Sequence, residues 1–178
     1  MSKEKTISSQ LIYDGRAVKL RVDTVQTPDG RQTTREIVEH EDVVSIIAID
    51  ADDNMLLVKQ FRKPVEQELL EIPAGGINLG EDPADAVRRE LREETGFLPQ
   101  KLEKLGGFYC APGFCHEYHY LYLATELTHS PLHAEDTEEI ELLKVPASQV
   151  AELVTSGRIC DAKSIAGLCI YLQYRKAR

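Results

Sequence analysis

No stretch of this chain is long and apolar enough to be read as a membrane span. None has the layout of a signal peptide, so the sequence reads as a cytoplasmic protein with no membrane partner. Tryptophan is absent, and the four cysteines (Cys110, Cys115, Cys160 and Cys169) lack the paired spacing of a zinc site. They are read as reduced thiols; Cys115, beside His116, is either a nucleophile or, the preferred reading, a bystander. Positive charge is also short. Lys and Arg total 21 against 30 Asp and Glu, a net charge of −9 with no basic stripe, which argues against nucleic acid as a partner. Internal repeats and low-complexity tracts are missing too. What remains is a 178-residue chain, enough for one domain with a sizeable core and a small appendage.

The most informative segment runs from Gly75 to Phe97 and has the form G-x5-E-x7-R-E-L-x-E-E-x-G-F. Asp82 is a good N-cap, Pro83 suits the first helical position, and Asp85 completes an acidic first turn, so a helix is expected from here. Gly96 is placed to end it in a left-handed cap. Ala84, Val87 and Leu91 recur at helical spacing and are the expected buried stripe. Glu90, Glu93 and Glu94 then crowd one flank beside that stripe. Like charges at this spacing repel, and near a buried surface their pKa values rise unless a cation intervenes. Arg89 is four residues before Glu93 and is expected to pair with it, leaving Glu90 and Glu94 without a partner from this helix. A solvated acidic face is the bland alternative. The preceding glycine loop, Glu81 and the terminating Gly96 favour a metal site instead. Oxygen-only ligands point to Mg2+, with Mn2+ as the substitute. Such ions would also let an acidic chain accept a polyphosphate.

The segment resembles the Nudix box at every fixed position. The resemblance extends from about Leu11 to Leu172 and implies an α/β fold: an α/β/α sandwich with a mixed sheet, preceded by a small N-terminal antiparallel β-sheet. By position it implies that Glu90 and Glu94, with the carbonyl of Ala74 before the box glycine, are the main metal ligands and that Glu93 helps with a further ion. On the same resemblance Glu93 and Glu94 thereby serve catalysis, and Glu81 supports the site from the loop.

The rest of the chain fits that layout. Val18, Leu20 and Val22 alternate as in a half-buried strand, Thr27-Pro28-Asp29-Gly30 is a turn, and a second strand follows from Gln32 to about Glu39. Met1 to Lys5 reads as frayed. Such a sheet cannot close a core alone. Residues 1–42 are therefore taken as the N-terminal sheet and 43–178 as the catalytic domain. Further strands are expected at Val43–Ile49, Met55–Phe61, Glu68–Ile72, Leu102–Leu105, Tyr118–Ala124 and Ile140–Val145. One late helix is expected from Ala147 to Ser156, and another after Asp161 with Ile165, Leu168, Cys169 and Leu172 as its core stripe.

Four more places match the ADP-ribose pyrophosphatase branch of the family. Pro112, in Ala111-Pro112-Gly113-Phe114, lies sixteen residues past Gly96, the spacing that marks the branch; a plain Pro-Gly turn is the alternative. Glu138, in the acidic loop His133–Glu139, occupies the place of the glutamate that handles the attacking water. Glu135, Asp136 and Glu139 lie close by, and a merely solvated loop is the other reading. Arg62 of Gln60-Phe61-Arg62 resembles the arginine that touches substrate phosphates, or is a strand-edge salt bridge. Arg35-Glu36 resembles a pair in the sheet that exchanges with a partner subunit and contributes to the adenosine pocket. With no tryptophan, adenine stacking would fall to tyrosine, phenylalanine or arginine.

The resemblance thus implies a homodimeric, magnesium-dependent hydrolase of ADP-ribose or a related nucleoside diphosphate sugar. Alternatives are a pyrophosphatase for another nucleotide sugar such as GDP-mannose, or a non-catalytic ADP-ribose-binding regulator.

Overall fold

The computed structural model describes residues 3–133 and 140–178. In chain order the strands β1 (Lys5–Asp14), β2 (Lys19–Gln26), β3 (Gln32–Glu39), β4 (Val43–Ile49), β5 (Asn54–Arg62), β6 (Gln67–Glu71) and β7 (Ala74–Gly76) precede helix α1 (Pro83–Thr95). Strands β8 (Phe97–Tyr109), β9 (Tyr118–His129) and β10 (Glu141–Pro146) follow, and helices α2 (Val150–Thr155) and α3 (Ala162–Lys176) close the described chain. No described helix is long and apolar enough to cross a membrane.

The chain divides into two compact units, Met1–Glu41 with Tyr109–Tyr118, and Asp42–Phe108 with His119–Arg178. The first holds an antiparallel sheet of order β1-β2-β3. The sequence reading supplied only its second and third strands; β1 was missed because Ser8, Ser9 and Gln10 break any run of strand-formers. All ten β1 residues are exposed, including Ile7, Leu11, Ile12 and Tyr13. In the same unit the 111–117 loop is tied to β3: the Val38 N–H donates to the Phe114 carbonyl at 2.7 Å, and His40 Nδ1 lies 2.8 Å from Glu117 Oε2.

The second unit is an α/β/α sandwich. Its sheet has the order β10-β5-β4-β9-β8, with β6 added beside β5 and β7 beside β4. It is mixed, since β4 runs parallel to β9 and antiparallel to β5 and β7. Strand β4 is buried on both faces; six of its seven residues are apolar, and the one polar side chain, Ser45, is paired with His119 Nδ1 at 2.9 Å. Val44, Ile46 and Ala48 pack with Val87 and Leu91 of α1, while Ile47 and Ile49 pack with Val150, Leu168 and Tyr171 of the other helical layer.

Three local expectations are corrected. Ala86, rather than Ala84, joins Val87 and Leu91 in the core. Helix α2 has only six residues, because Ala147 to Gln149 form a turn, with Ala147 N–H bonded to Asp53 and Gln149 N–H to Pro146. On α3, Cys169 is exposed, and the buried stripe is Ser164, Gly167, Leu168 and Tyr171. The helix passes close to the sheet at Gly167, where a Cβ would sit 2.9 Å from Ile72 Cδ1 and 3.1 Å from Leu121 Cδ1.

Candidate active site

Helix α1 starts and stops as its caps dictate. The Asp82 side chain accepts the Ala84 N–H at 2.8 Å, Pro83 begins the helix, and Gly96 ends it at φ 78° with its N–H on the Arg92 carbonyl. Burial of Val87 and Leu91 turns the glutamate flank toward β7. Glu90, Glu93 and Glu94 thereby line a cleft of about 720 Å³ together with Ala74, Gly75 and Arg62, all predicted to belong to one site or loop. Gln60, Asn78, Leu132, His133 and Ile140 line it as well, and sequence reasoning had given none of these a role.

Glycine at position 75 has a steric cause. A Cβ there would run into the carboxylate of Glu90. The close approach of β7 to α1 also lets Glu94 Oε2 accept the Ala74 N–H at 3.0 Å.

Arg89 is the hub of the cleft's charges, and its pairing differs from the expectation. It does reach Glu93, at 3.3 Å, but its shorter bonds are to Glu81 (3.0 and 2.8 Å), Glu90 (2.5 Å) and the Gly76 carbonyl (2.8 Å). Glu90 therefore has a partner from its own helix. The bidentate grip on Glu81 is what the fork of a guanidinium favours. Glu81 also accepts the Asn78 N–H at 2.9 Å, so its part in the geometry is to fix Arg89 and the loop. Arg89, against the cost of burial, holds the Glu81 carboxyl below its ordinary range.

Electrostatics mark Glu90 and Glu94 as groups that lack sufficient positive charge. Burial pushes the Glu90 carboxyl up despite Arg89. Burial, followed by the charge of Glu90, pushes Glu94 up to about 8, while the Ala74 N–H, Lys163 and Arg62 pull in the other direction. Four oxygen donors around one cleft, two of them with raised pKa values, suit a hard divalent cation.

On the cleft wall, Arg62 makes a bidentate pair with Glu71, 2.8 Å on each arm. Glu71 is only 1% exposed and accepts a second cation, Lys163 of α3. Burial alone would raise its pKa, but Arg62 and Lys163 hold it below the usual range. Arg62 thus both forms a salt bridge, inward rather than at a strand edge, and lines the cleft. Lys163 carries no local sequence signal, since it lies 92 residues from Glu71.

Three other predicted residues belong to the first unit. Arg35 and Glu36 are exposed on β3, and Arg35 bonds Glu4 at 3.1 and 2.5 Å. Pro112 is exposed in the turn that Phe114 and Cys115 close by donating to the Ala111 carbonyl. Glu138, with Glu135, Asp136 and Glu139, lies outside the described residues.

Comparison with known proteins bears on the family and the fold. Residues 39–167 match the model of the NUDIX domain, and residues 4–38 match that of the nucleoside diphosphate sugar hydrolase N-terminal domain. An ADP-ribose pyrophosphatase of Bacillus subtilis is 38% identical over 98% of this chain and 95% of its own. A methanol dehydrogenase activator of Bacillus methanolicus has the same identity and coverage. Among solved structures, one described as an ADP compounds hydrolase superposes with a TM-score of 0.90 at 21% identity, covering 99% of this chain and 96% of that one, and so shares the fold. The box from Gly75 to Phe97, the sandwich that presents it and the match over residues 39–167 together make this chain a member of the Nudix hydrolase family.

Proposed function

We propose that this chain hydrolyses the pyrophosphate bond of ADP-ribose or a related nucleoside diphosphate sugar, releasing a nucleoside monophosphate and a sugar phosphate. With ADP-ribose the products are AMP and ribose 5-phosphate. The reading rests above all on the convergence of Glu90, Glu93, Glu94 and Ala74 on one cleft that Arg62 also lines. The names of the Bacillus subtilis relative and of the matched N-terminal domain point the same way.

Glu90, Glu93, Glu94 and the Ala74 carbonyl would hold Mg2+, or Mn2+ in its place, since all four offer hard oxygen donors. Bound there, magnesium supplies positive charge to a diphosphate and makes water a better nucleophile at neutral pH. The protein's own groups do the rest. Arg62, pinned by Glu71, offers a fixed cation to the phosphates as charge develops. Glu138 positions the attacking water or accepts its proton. His133 and Ile140, which flank residues 134–139, both line the cleft. Pro112 marks the specificity loop. Residues 1–42, with Arg35 and Glu36, form the sheet through which two copies exchange contacts in a cytoplasmic homodimer, and residues 43–178 form the catalytic domain.

A second reading follows from the Bacillus methanolicus relative, whose name is that of an activator. On that reading the chain binds ADP-ribose and regulates a partner without hydrolysing it.

A substrate panel with purified protein separates these. Turnover of ADP-ribose above GDP-mannose and dinucleoside polyphosphates, present with Mg2+ and abolished by a chelator, is the expected result. Binding of ADP-ribose without turnover would favour the regulator, and a preference for GDP-mannose would reassign the substrate.

A further inference from the structure

Helix α3 contributes no residue to the cleft lining among the described residues. Its first turn is nonetheless bolted to the strand that leads into the metal loop. The Ser164 hydroxyl accepts the buried Ile72 N–H at 2.9 Å, one residue past Glu71 and two before Ala74. Beside it, Lys163 grips Glu71 Oε2, the same oxygen that receives Arg62 Nη2, while Arg62 Nε takes Oε1. The Lys163 ammonium is itself fixed by Asp161, the N-cap of α3, at 2.9 Å. Asp161, Lys163, Glu71 and Arg62 therefore form an unbroken chain of ion pairs from the start of α3 to the cleft wall. All but Arg62 have side chains that are at most 15% exposed.

A buried carboxylate with a single cation can rotate about its terminal torsion and carry that cation with it. With a second cation on one oxygen, both oxygens are committed and the plane of the carboxylate is set. A bidentate guanidinium must then lie in that plane. We propose that Lys163 is a positioning residue for phosphate binding: it fixes Glu71, and Glu71 fixes the guanidinium of Arg62 against the cleft. Lys163 would act through Glu71 and Arg62 without touching the substrate. The inference rests on the reading of Arg62 as a phosphate ligand.

Steady-state kinetics on ADP-ribose with saturating Mg2+, run as a double-mutant cycle between Lys163→Met and Arg62→Ala, test it. The expected result is a rise in KM of about tenfold or more for Lys163→Met, with a smaller change in kcat. Lys163→Arg should restore most of the loss. In an Arg62→Ala background the Lys163 change should add little to KM at saturating Mg2+, because its effect on phosphate binding passes through Arg62. An unchanged KM in Lys163→Met, or a rise as large without Arg62 as with it, overturns the proposal. If Arg62→Ala alone leaves KM unaltered, the phosphate role of Arg62 fails first and the role of Lys163 goes with it. Lys163→Gln, which keeps length and polarity, carries the same comparison should Lys163→Met not fold.

Discussion

Glu94 accepts the backbone N–H of Ala74 at 3.0 Å, so the last carboxylate of the box is tied to the strand whose carbonyl is proposed to share its metal. Glutamine at position 94 keeps an oxygen for that bond and loses only the charge. Glu94→Gln is expected to abolish magnesium-dependent hydrolysis while leaving the fold intact. Circular dichroism and activity measured on the same sample check this, and undiminished turnover would sink the metal assignment.

The raised pKa of Glu94 has a consequence for stability without metal. Its folded-state value of about 8 lies above the ordinary 4.5, so between these limits the folded state binds more protons than the unfolded one. That contribution is fully present below pH 4.5 and is lost as pH rises through about 8. Each unit corresponds to about 1.4 kcal/mol before solvent and coupling reduce it. In chelator, Tm should fall from pH 5 toward pH 8, and Glu94→Gln should flatten the decline. Stabilisation by added Mn2+ should grow over the same range, because the ion displaces a proton. Identical pH profiles for wild type and variant would contradict the shift.

Gly75→Ala is expected to separate metal binding from folding. The added methyl meets the Glu90 carboxylate, which must swing aside. The cost in stability should be about 1–3 kcal/mol, the range for an overpacked site. Mn2+ affinity by calorimetry should fall by more than that destabilisation explains. Native affinity in a folded variant would show that Glu90 is dispensable as a ligand.

Glu138→Gln is expected to lower kcat about 100-fold or more with substrate binding retained, as for loss of a general base. Should Glu139→Gln have this effect instead, the base is the next residue in the sequence.

The exposed Ile7, Leu11 and Tyr13 of β1 should be covered in a dimer. Leu11→Glu with Tyr13→Glu is expected to shift the mass measured by light scattering from dimer to monomer. A wild-type protein that is already monomeric at micromolar concentration would remove the exchange model.

How much could be read without coordinates depended on the range over which each feature acts. Asp82, Pro83 and Gly96 announce α1 because caps and punctuation are local chemistry. The nearly continuous apolar run of β4, broken only by Ser45, likewise announces a strand buried on both faces. Strand β1 escaped notice because it exposes every residue and so has no buried face to leave a pattern. The core stripe of α3 was misplaced at Cys169 because a narrow helix–sheet contact chose Gly167, a residue that hydrophobicity does not flag.

The same division holds at the site. Sequence by itself determined that Glu90, Glu93 and Glu94 share one flank of a capped helix after a glycine loop, since helical geometry places them there. The resemblance of that segment to the Nudix box implied the reaction class. Only the tertiary structure decided how those charges are shared. Arg89 turned to Glu81 and Glu90 more closely than to Glu93, and Arg62 met Glu71 and, through it, Lys163, which lies 92 residues beyond Glu71. Charge pairing over such separations depends on which strands and helices pack together, and helical or strand periodicity carries no record of that.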